Sequence, residues 1–136
     1  MSQNDKLSQK AREAAQNSYS PYSKFRVGAA LETSSGKIYT GCNVENSSYG
    51  LTCCAERNAL AAAIVAGERL FKKIAIYVDH DEKLFAPCGA CRQVLSEFSP
   101  NLQVEFFNNI SSRAVNLSEL FPNAFKLDPT GDCSSQ

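Results

Sequence analysis

The sequence predicts an α/β fold, a three-layer α/β/α sandwich around a mixed five-stranded sheet. Three observations carry that expectation. Stretches with apolar residues at steps of three and four alternate with short stretches of β type, and the layer rule then puts helices on the faces of a sheet. The run Lys73-Ile74-Ala75-Ile76-Tyr77-Val78 is apolar almost throughout, as in a strand covered on both faces. The length, 136 residues, suits one domain, taken as 1–136 with loose ends at 1–4 and 127–136.

In chain order, residues 5 to 18 carry Leu7, Ala11, Ala14, Ala15 and Ser18 on one helical face, and Pro21 stops that helix. Phe25, Val27, Ala29 and Leu31 alternate along a first strand. Ser34-Ser35-Gly36-Lys37 is turn material, and Ile38 to Cys42 returns as the second arm of a hairpin. Asn43 to Leu51 is polar and reads as a loop, the kind of segment on which sites are built. From Cys54 to Ala66 an alanine-rich helix packs closely on the sheet and ends at Gly67. After the strand at 73–78, the charged loop Asp79 to Pro87 holds the lone histidine, His80, expected to be solvated between two aspartates. A third helix starts around Cys88 and breaks at Pro100. Leu102 to Phe107 and Arg113 to Leu117 read as strands, with a helical turn from Ser118 to Phe121. The order of the strands does not follow from this pattern alone.

Fourteen Lys+Arg balance fourteen Asp+Glu, so no net field draws the chain toward nucleic acid or a membrane surface. No apolar run approaches the ~18 residues of a membrane span, and the N-terminus lacks a signal pattern, so the expected location is the cytoplasm. The three Asn-x-Ser triplets at Asn46, Asn109 and Asn116 are then chance matches. Six cysteines in a reducing compartment point to metal or catalysis before disulfides.

Cys88 and Cys91, three apart at a helix start, can reach one ion at the ~2.3 Å Zn–S distance. Cys54, at another predicted helix start where the dipole favours thiolate, is the best third ligand. Three protein ligands leave a fourth position for water and mark a catalytic zinc. The competing arrangement is a closed structural site with Cys42 or Cys53 as fourth ligand. Glu56, leaning back past the helix start, can sit beside the metal and carry protons, besides serving the helix dipole. Three thiolates leave zinc with a net negative charge. Arg57 is the expected partner that offsets it, with Arg92 a weaker candidate.

Cys54-Ala55-Glu56-Arg57 followed by Pro87-Cys88-Gly89-Ala90-Cys91-Arg92-Gln93 resembles the signature of the zinc nucleobase deaminases. Together with Phe25-x-Val27-Gly28-Ala29-Ala30-Leu31, Gly41-Cys42-Asn43-Val44-Glu45-Asn46 and Leu120-Phe121-Pro122-Asn123-Ala124-Phe125, it is similar to the small homotetrameric cytidine deaminases from about Tyr19 to Phe125. The resemblance implies one Zn2+ per subunit on Cys54, Cys88 and Cys91, and Glu56 as proton shuttle. It implies Asn43 and Glu45 on the ribose 3′-hydroxyl, Phe25 packed on the nucleoside, and backbone near Ala55 on the base edge. Phe125 would stack from a neighbouring subunit, and Tyr49 would enter a neighbour's site. The implied reaction is hydrolytic deamination of cytidine and deoxycytidine to uridine and deoxyuridine with release of ammonia, in pyrimidine salvage. A blasticidin-type or other small-molecule aminohydrolase on the same fold, and a zinc-stabilised interaction module, are the rival readings. Preference between cytidine and deoxycytidine, and any role for Cys53, Cys133 or the tail, are not written in these motifs.

Overall fold

The computed structural model describes residues 5–129. In chain order it contains α1 (Lys6–Ala15), β1 (Val27–Thr33), β2 (Ile38–Cys42), α2 (Ala55–Val65), β3 (Phe71–Val78), α3 (Gly89–Ser96), β4 (Gln103–Phe107), β5 (Ser112–Asn116) and α4 (Leu117–Leu120). The expected loose ends fall outside the described residues except for 127–129, and Cys133 does also.

The strands form one mixed sheet in the order β2-β1-β3-β4-β5. β1 pairs antiparallel with both β2 and β3, β3 pairs parallel with β4, and β5 closes the far edge antiparallel to β4. The hairpin is therefore a sheet edge. The parallel pair in the middle needs a crossover, and α3 supplies it.

Helices cover both faces. Asp5 caps α1 by accepting from the Ser8 N–H at 2.8 Å, and Leu7, Ala11 and Ala15 pack on Ala30, Ala75, Tyr77 and Phe107. On the opposite face Ala55, Ala59, Leu60 and Ala63 of α2 and Leu95 of α3 pack on Ala29, Leu31, Ile74, Ile76 and Phe106. This double cover explains why β1 is buried at Gly28, Ala29, Ala30 and Leu31 in succession, with no alternation between core and solvent.

Two glycines set how close the helices come. A Cβ on Gly28 would lie 2.0 Å from the Ala11 carbonyl oxygen, and one on Gly41 would lie 2.4 Å from the Ala59 nitrogen. At the end of α2, Gly67 has φ +94° and donates to Ile64 O, while Glu68 N donates to Ala63 O, which together make a Schellman stop.

Three expectations need correction. Phe25 is not on the inward face of a strand: β1 begins two residues later, and Phe25 is 39% exposed. Side chains replace ladder bonds there, since Ser23 Oγ accepts from the Phe25 N–H and Asn43 Nδ2 donates to the Phe25 carbonyl. β3 starts at Phe71, two residues earlier than expected, with Phe71 opposite Thr33 beyond a register shift. His80 is half-buried. Its Nδ1 accepts from the Glu82 and Lys83 N–H groups, and its ring sits against Phe25 and Phe85 at centroid distances of 5.6 and 5.7 Å.

Candidate active site

The N-termini of α2 and α3 meet on one face of the sheet, and the cysteines occupy them. Cys54 is the N-cap of α2 and Cys88 the N-cap of α3, both with extended backbone, while Cys91 sits in the first turn of α3. The three sulfurs all lie within 4.8 Å of one another, with Cys88 and Cys91 Sγ 3.5 Å apart. Tetrahedral zinc with ~2.3 Å bonds needs sulfurs about 3.8 Å apart, so small side-chain adjustments let this set close on one ion. Cys42 and Cys53 are free thiols outside the cluster, so a closed four-cysteine site does not form among the described residues.

The electrostatics of the cluster are those of a metal-binding set. The Cys54 thiol is pulled down to about 5, first by a hydrogen bond from the Cys91 thiol and then by the Arg57 guanidinium. Cys91 is pushed up in turn, because its proton is held between the two sulfurs. Arg57 Nη2 lies 3.5 Å from Cys54 Sγ and 3.3 Å from the Thr52 carbonyl, and its Nε is buried without a hydrogen-bond partner. The guanidinium thus divides its Nη2 between the Thr52 carbonyl and the Cys54 sulfur. Arg92, by contrast, donates to the Pro87 and Leu120 carbonyls at 2.8 and 2.7 Å and ties the third helix to the chain beyond β5. Three thiols, of which Cys54 is held toward the thiolate with the Arg57 guanidinium beside it, are a donor set that fits zinc.

Glu56 is 5% exposed at the start of α2. Burial raises its pKa to about 7, and the Cys54 thiolate adds to the rise. The carboxyl is therefore poised between its two protonation states near neutral pH.

A cavity of about 180 Å³ opens onto this cluster. Cys54, Ala55, Glu56 and Cys88 form its chemical end, Val27, Ile76, Val78, Phe85 and Ala86 its apolar walls, and Asn43 and Thr52 its remaining polar lining. Asn43 is 8% exposed: its Oδ1 accepts from Ser18 Oγ and from the Val27 N–H at 3.0 Å, and its Nδ2 reaches the Phe25 carbonyl at 2.8 Å. Glu45 Oε1 accepts from the Tyr22 and Ser23 N–H groups at 2.9 and 3.1 Å, and Oε2 accepts from Ser23 Oγ. Those bonds hold the Glu45 carboxyl below the usual carboxylate range, the Ser23 hydroxyl foremost. Phe25 stands outside the lining but touches it, its ring 5.4 Å from that of Phe85.

Tyr49 and Phe125 do not line this cavity. Tyr49 is 73% exposed on the 3-10 turn Tyr49–Leu51, and Phe125 is 60% exposed. Reading the sequence missed Phe85 and Thr52. Phe85, an isolated aromatic in a charged loop two residues before Pro87, carried a usable signal; Thr52 carried none.

Helix N-termini that gather three thiols around a buried carboxyl, on an α/β/α sandwich, define a metal-dependent hydrolase of the deaminase class. Comparison with known proteins agrees. Residues 1–105 match the family model described as the cytidine and deoxycytidylate deaminase zinc-binding region. A cytidine deaminase from Sporosarcina psychrophila is 40% identical over 134 residues, 97% of this chain and 98% of that protein. One from Mycobacterium tuberculosis is 43% identical over 118 residues, 87% of this chain and 86% of that protein. The crystal structure of cytidine deaminase from Burkholderia pseudomallei superposes with a TM-score of 0.83 at 47% identity, covering 88% of this chain and 96% of that one. The chain belongs to the cytidine deaminase family of enzymes, and zinc is its cofactor.

Proposed function

We propose that this enzyme deaminates cytidine and deoxycytidine hydrolytically, giving uridine or deoxyuridine and ammonia in pyrimidine salvage, with one Zn2+ per subunit on Cys54, Cys88 and Cys91. The observation that carries the proposal is Glu56: a buried carboxyl with proton affinity near neutrality, beside a three-thiol cluster, at the end of an apolar cavity. When bound, zinc supplies Lewis acidity and an activated water. Glu56 takes one proton from the attacking water and passes it to N3, then takes the second from the hydroxyl left on C4 and passes it to the departing amino group, work worth ~10² to 10⁴ in rate. Arg57 offsets the charge of the thiolates.

The rest of the cavity orients a nucleoside. Val27, Ile76, Val78 and Phe85 pack against the base and exclude water, and backbone at Ala55 meets its polar edge. Asn43 has one amide N–H left after its internal bonds, and Glu45 Oε2 has one lone pair left. Asn43 lines the cavity and Glu45 lies outside that lining; a donor and an acceptor of this kind suit a sugar hydroxyl, and Phe25 covers the sugar from outside. Tyr49 and Phe125, exposed and away from their own cavity, complete the sites of neighbouring copies in a homotetramer. Net charge zero agrees with a free nucleoside substrate and no nucleic-acid partner. The enzyme works in the cytoplasm as a single domain spanning 1–136. Among the described residues no helix is long and apolar enough to cross a membrane.

The test is loss of cytidine absorbance with stoichiometric ammonia release by zinc-loaded protein. Failure of cytidine and deoxycytidine alike to react would sink the proposal.

A further inference from the structure

We propose that Ser23 is a positioning residue for sugar recognition, its hydroxyl holding in place the Glu45 oxygen that receives the substrate's 3′-hydroxyl. The inference rests on the reading of Glu45 as the sugar-binding carboxylate. The two Glu45 oxygens are not equivalent. Oε1 accepts the Tyr22 and Ser23 N–H groups and has both lone pairs occupied. Among the described residues Oε2 has Ser23 Oγ as its one partner and keeps a free lone pair. It is therefore the oxygen open to a ligand, and Ser23 fixes its direction.

The same hydroxyl accepts from the Phe25 N–H at 3.0 Å. One oxygen thus links the carboxylate to the backbone that carries the outer aromatic wall, two parts of the site lying 20 residues apart in sequence. The backbone is bent to make this possible. Lys24 has φ +65°, in the left-handed region that non-glycine residues seldom occupy, and its N–H donates to Ser20 O at 3.0 Å. A strained turn between Ser23 and Phe25 brings the serine hydroxyl between Glu45 and the Phe25 amide. Strain of this kind persists where surrounding bonds over-determine the local structure, and the three hydrogen bonds onto Glu45 do so here.

The experiment compares kcat and KM of wild type, S23A and S23T on cytidine and on 3′-deoxycytidine. A hydrogen bond to a charged group implies that wild type favours cytidine by roughly 10-fold or more in kcat/KM. S23A is expected to lose about 10-fold on cytidine, carried by KM, and under about 2-fold on the 3′-deoxy substrate, because the partner it misaligns is absent there. S23T keeps a hydroxyl and should keep most of the discrimination. Equal losses by S23A on both substrates, or no loss on either, overturn the role of Ser23 while leaving Glu45 in place. Wild type treating both substrates alike removes the Glu45 reading, and the Ser23 role goes with it. Should S23A fail to fold, S23C, of similar volume and only weakly donating, takes its place in the same comparison.

Discussion

Arg57 Nη2 approaches Cys54 Sγ to 3.5 Å from the next turn of the same helix, three residues away. The cation thus faces the sulfur directly, and its buried Nε has no hydrogen-bond partner among the described residues. Partners that hold ligating groups typically change metal affinity or activity by ~10- to 100-fold when removed. R57A is therefore expected to bind zinc ~10- to 100-fold more weakly and to turn over more slowly, with R57K intermediate because lysine keeps the charge but not the planar fork. Competition with a chelator measures the first, steady-state kinetics the second. Zinc affinity and turnover both at wild-type level would remove Arg57 from the site.

Glu56 makes the complementary case, since it lies beside the ligands without being one of the three clustered sulfurs. E56Q preserves shape and removes proton transfer. Zinc content by elemental analysis should stay at one per subunit, while kcat falls by ~10² to 10⁴. Substantial residual turnover with full zinc would mean that another group carries the proton.

The Cys88–Cys91 half of the metal cluster was legible in the sequence because its geometry is local, whereas its meeting with Cys54 rests on the packing of α2 beside α3 and was implied by the resemblance. Cysteines three apart at a helix start, and a cysteine capping another helix, need only the helical repeat to be placed. The strands and the starts of the helices were legible within about two residues for the same reason, while α1 ends at Ala15 and not at Ser18, and α3 ends at Ser96, short of Pro100. What could not be read depends on pairs distant in the chain. Ser23 meets Glu45 across 22 residues through a turn with a left-handed lysine, and nothing in Tyr22-Ser23-Lys24 announces it. The half-burial of His80 was missed because its aspartate neighbours describe the solvent side of the loop, whereas Phe25, which arrives from the chain before β1, and Phe85, from further along the same loop, shelter its ring. Phe25 was misplaced because alternation continues past the point where Asn43 and Ser23 take over its backbone bonds.

Gly41 tests the packing that brings Cys54 into position. Its Cα faces the backbone of α2, and a Cβ there would meet Ala59 N at 2.4 Å and Ala55 O at 2.6 Å, rigid atoms that cannot swing aside. Overpacking of this kind costs ~1 to 3 kcal/mol or more. G41A should lower the urea midpoint accordingly, and because the shift falls on the first turn of α2, zinc affinity should drop with it. G50A, with nothing within 4 Å of the new carbon, is the control expected to leave the midpoint unchanged. Equal stability of the two variants would show that α2 can lift from the sheet at little cost.

The proposal that neighbouring copies complete each other's sites makes a prediction that single variants cannot imitate. F125A should raise KM for cytidine by ~10-fold, as base stacking is worth ~1 to 3 kcal/mol. E56Q should be nearly inactive for a different reason. If Phe125 serves the cavity of another subunit, an E56Q subunit still offers an intact Phe125, and an F125A subunit still offers an intact Glu56. Unfolding the two variants together and refolding them with zinc then creates mixed oligomers in which some cavities have both groups. Activity at low cytidine should exceed the mean of the two variants refolded separately, and the gain should follow the fraction of mixed oligomers seen by native mass spectrometry. Were Phe125 to act on its own subunit's cavity, no mixed oligomer would contain a repaired site and the activities would simply average. That outcome would assign Phe125 to the cavity of its own subunit and remove the neighbouring copy from base recognition.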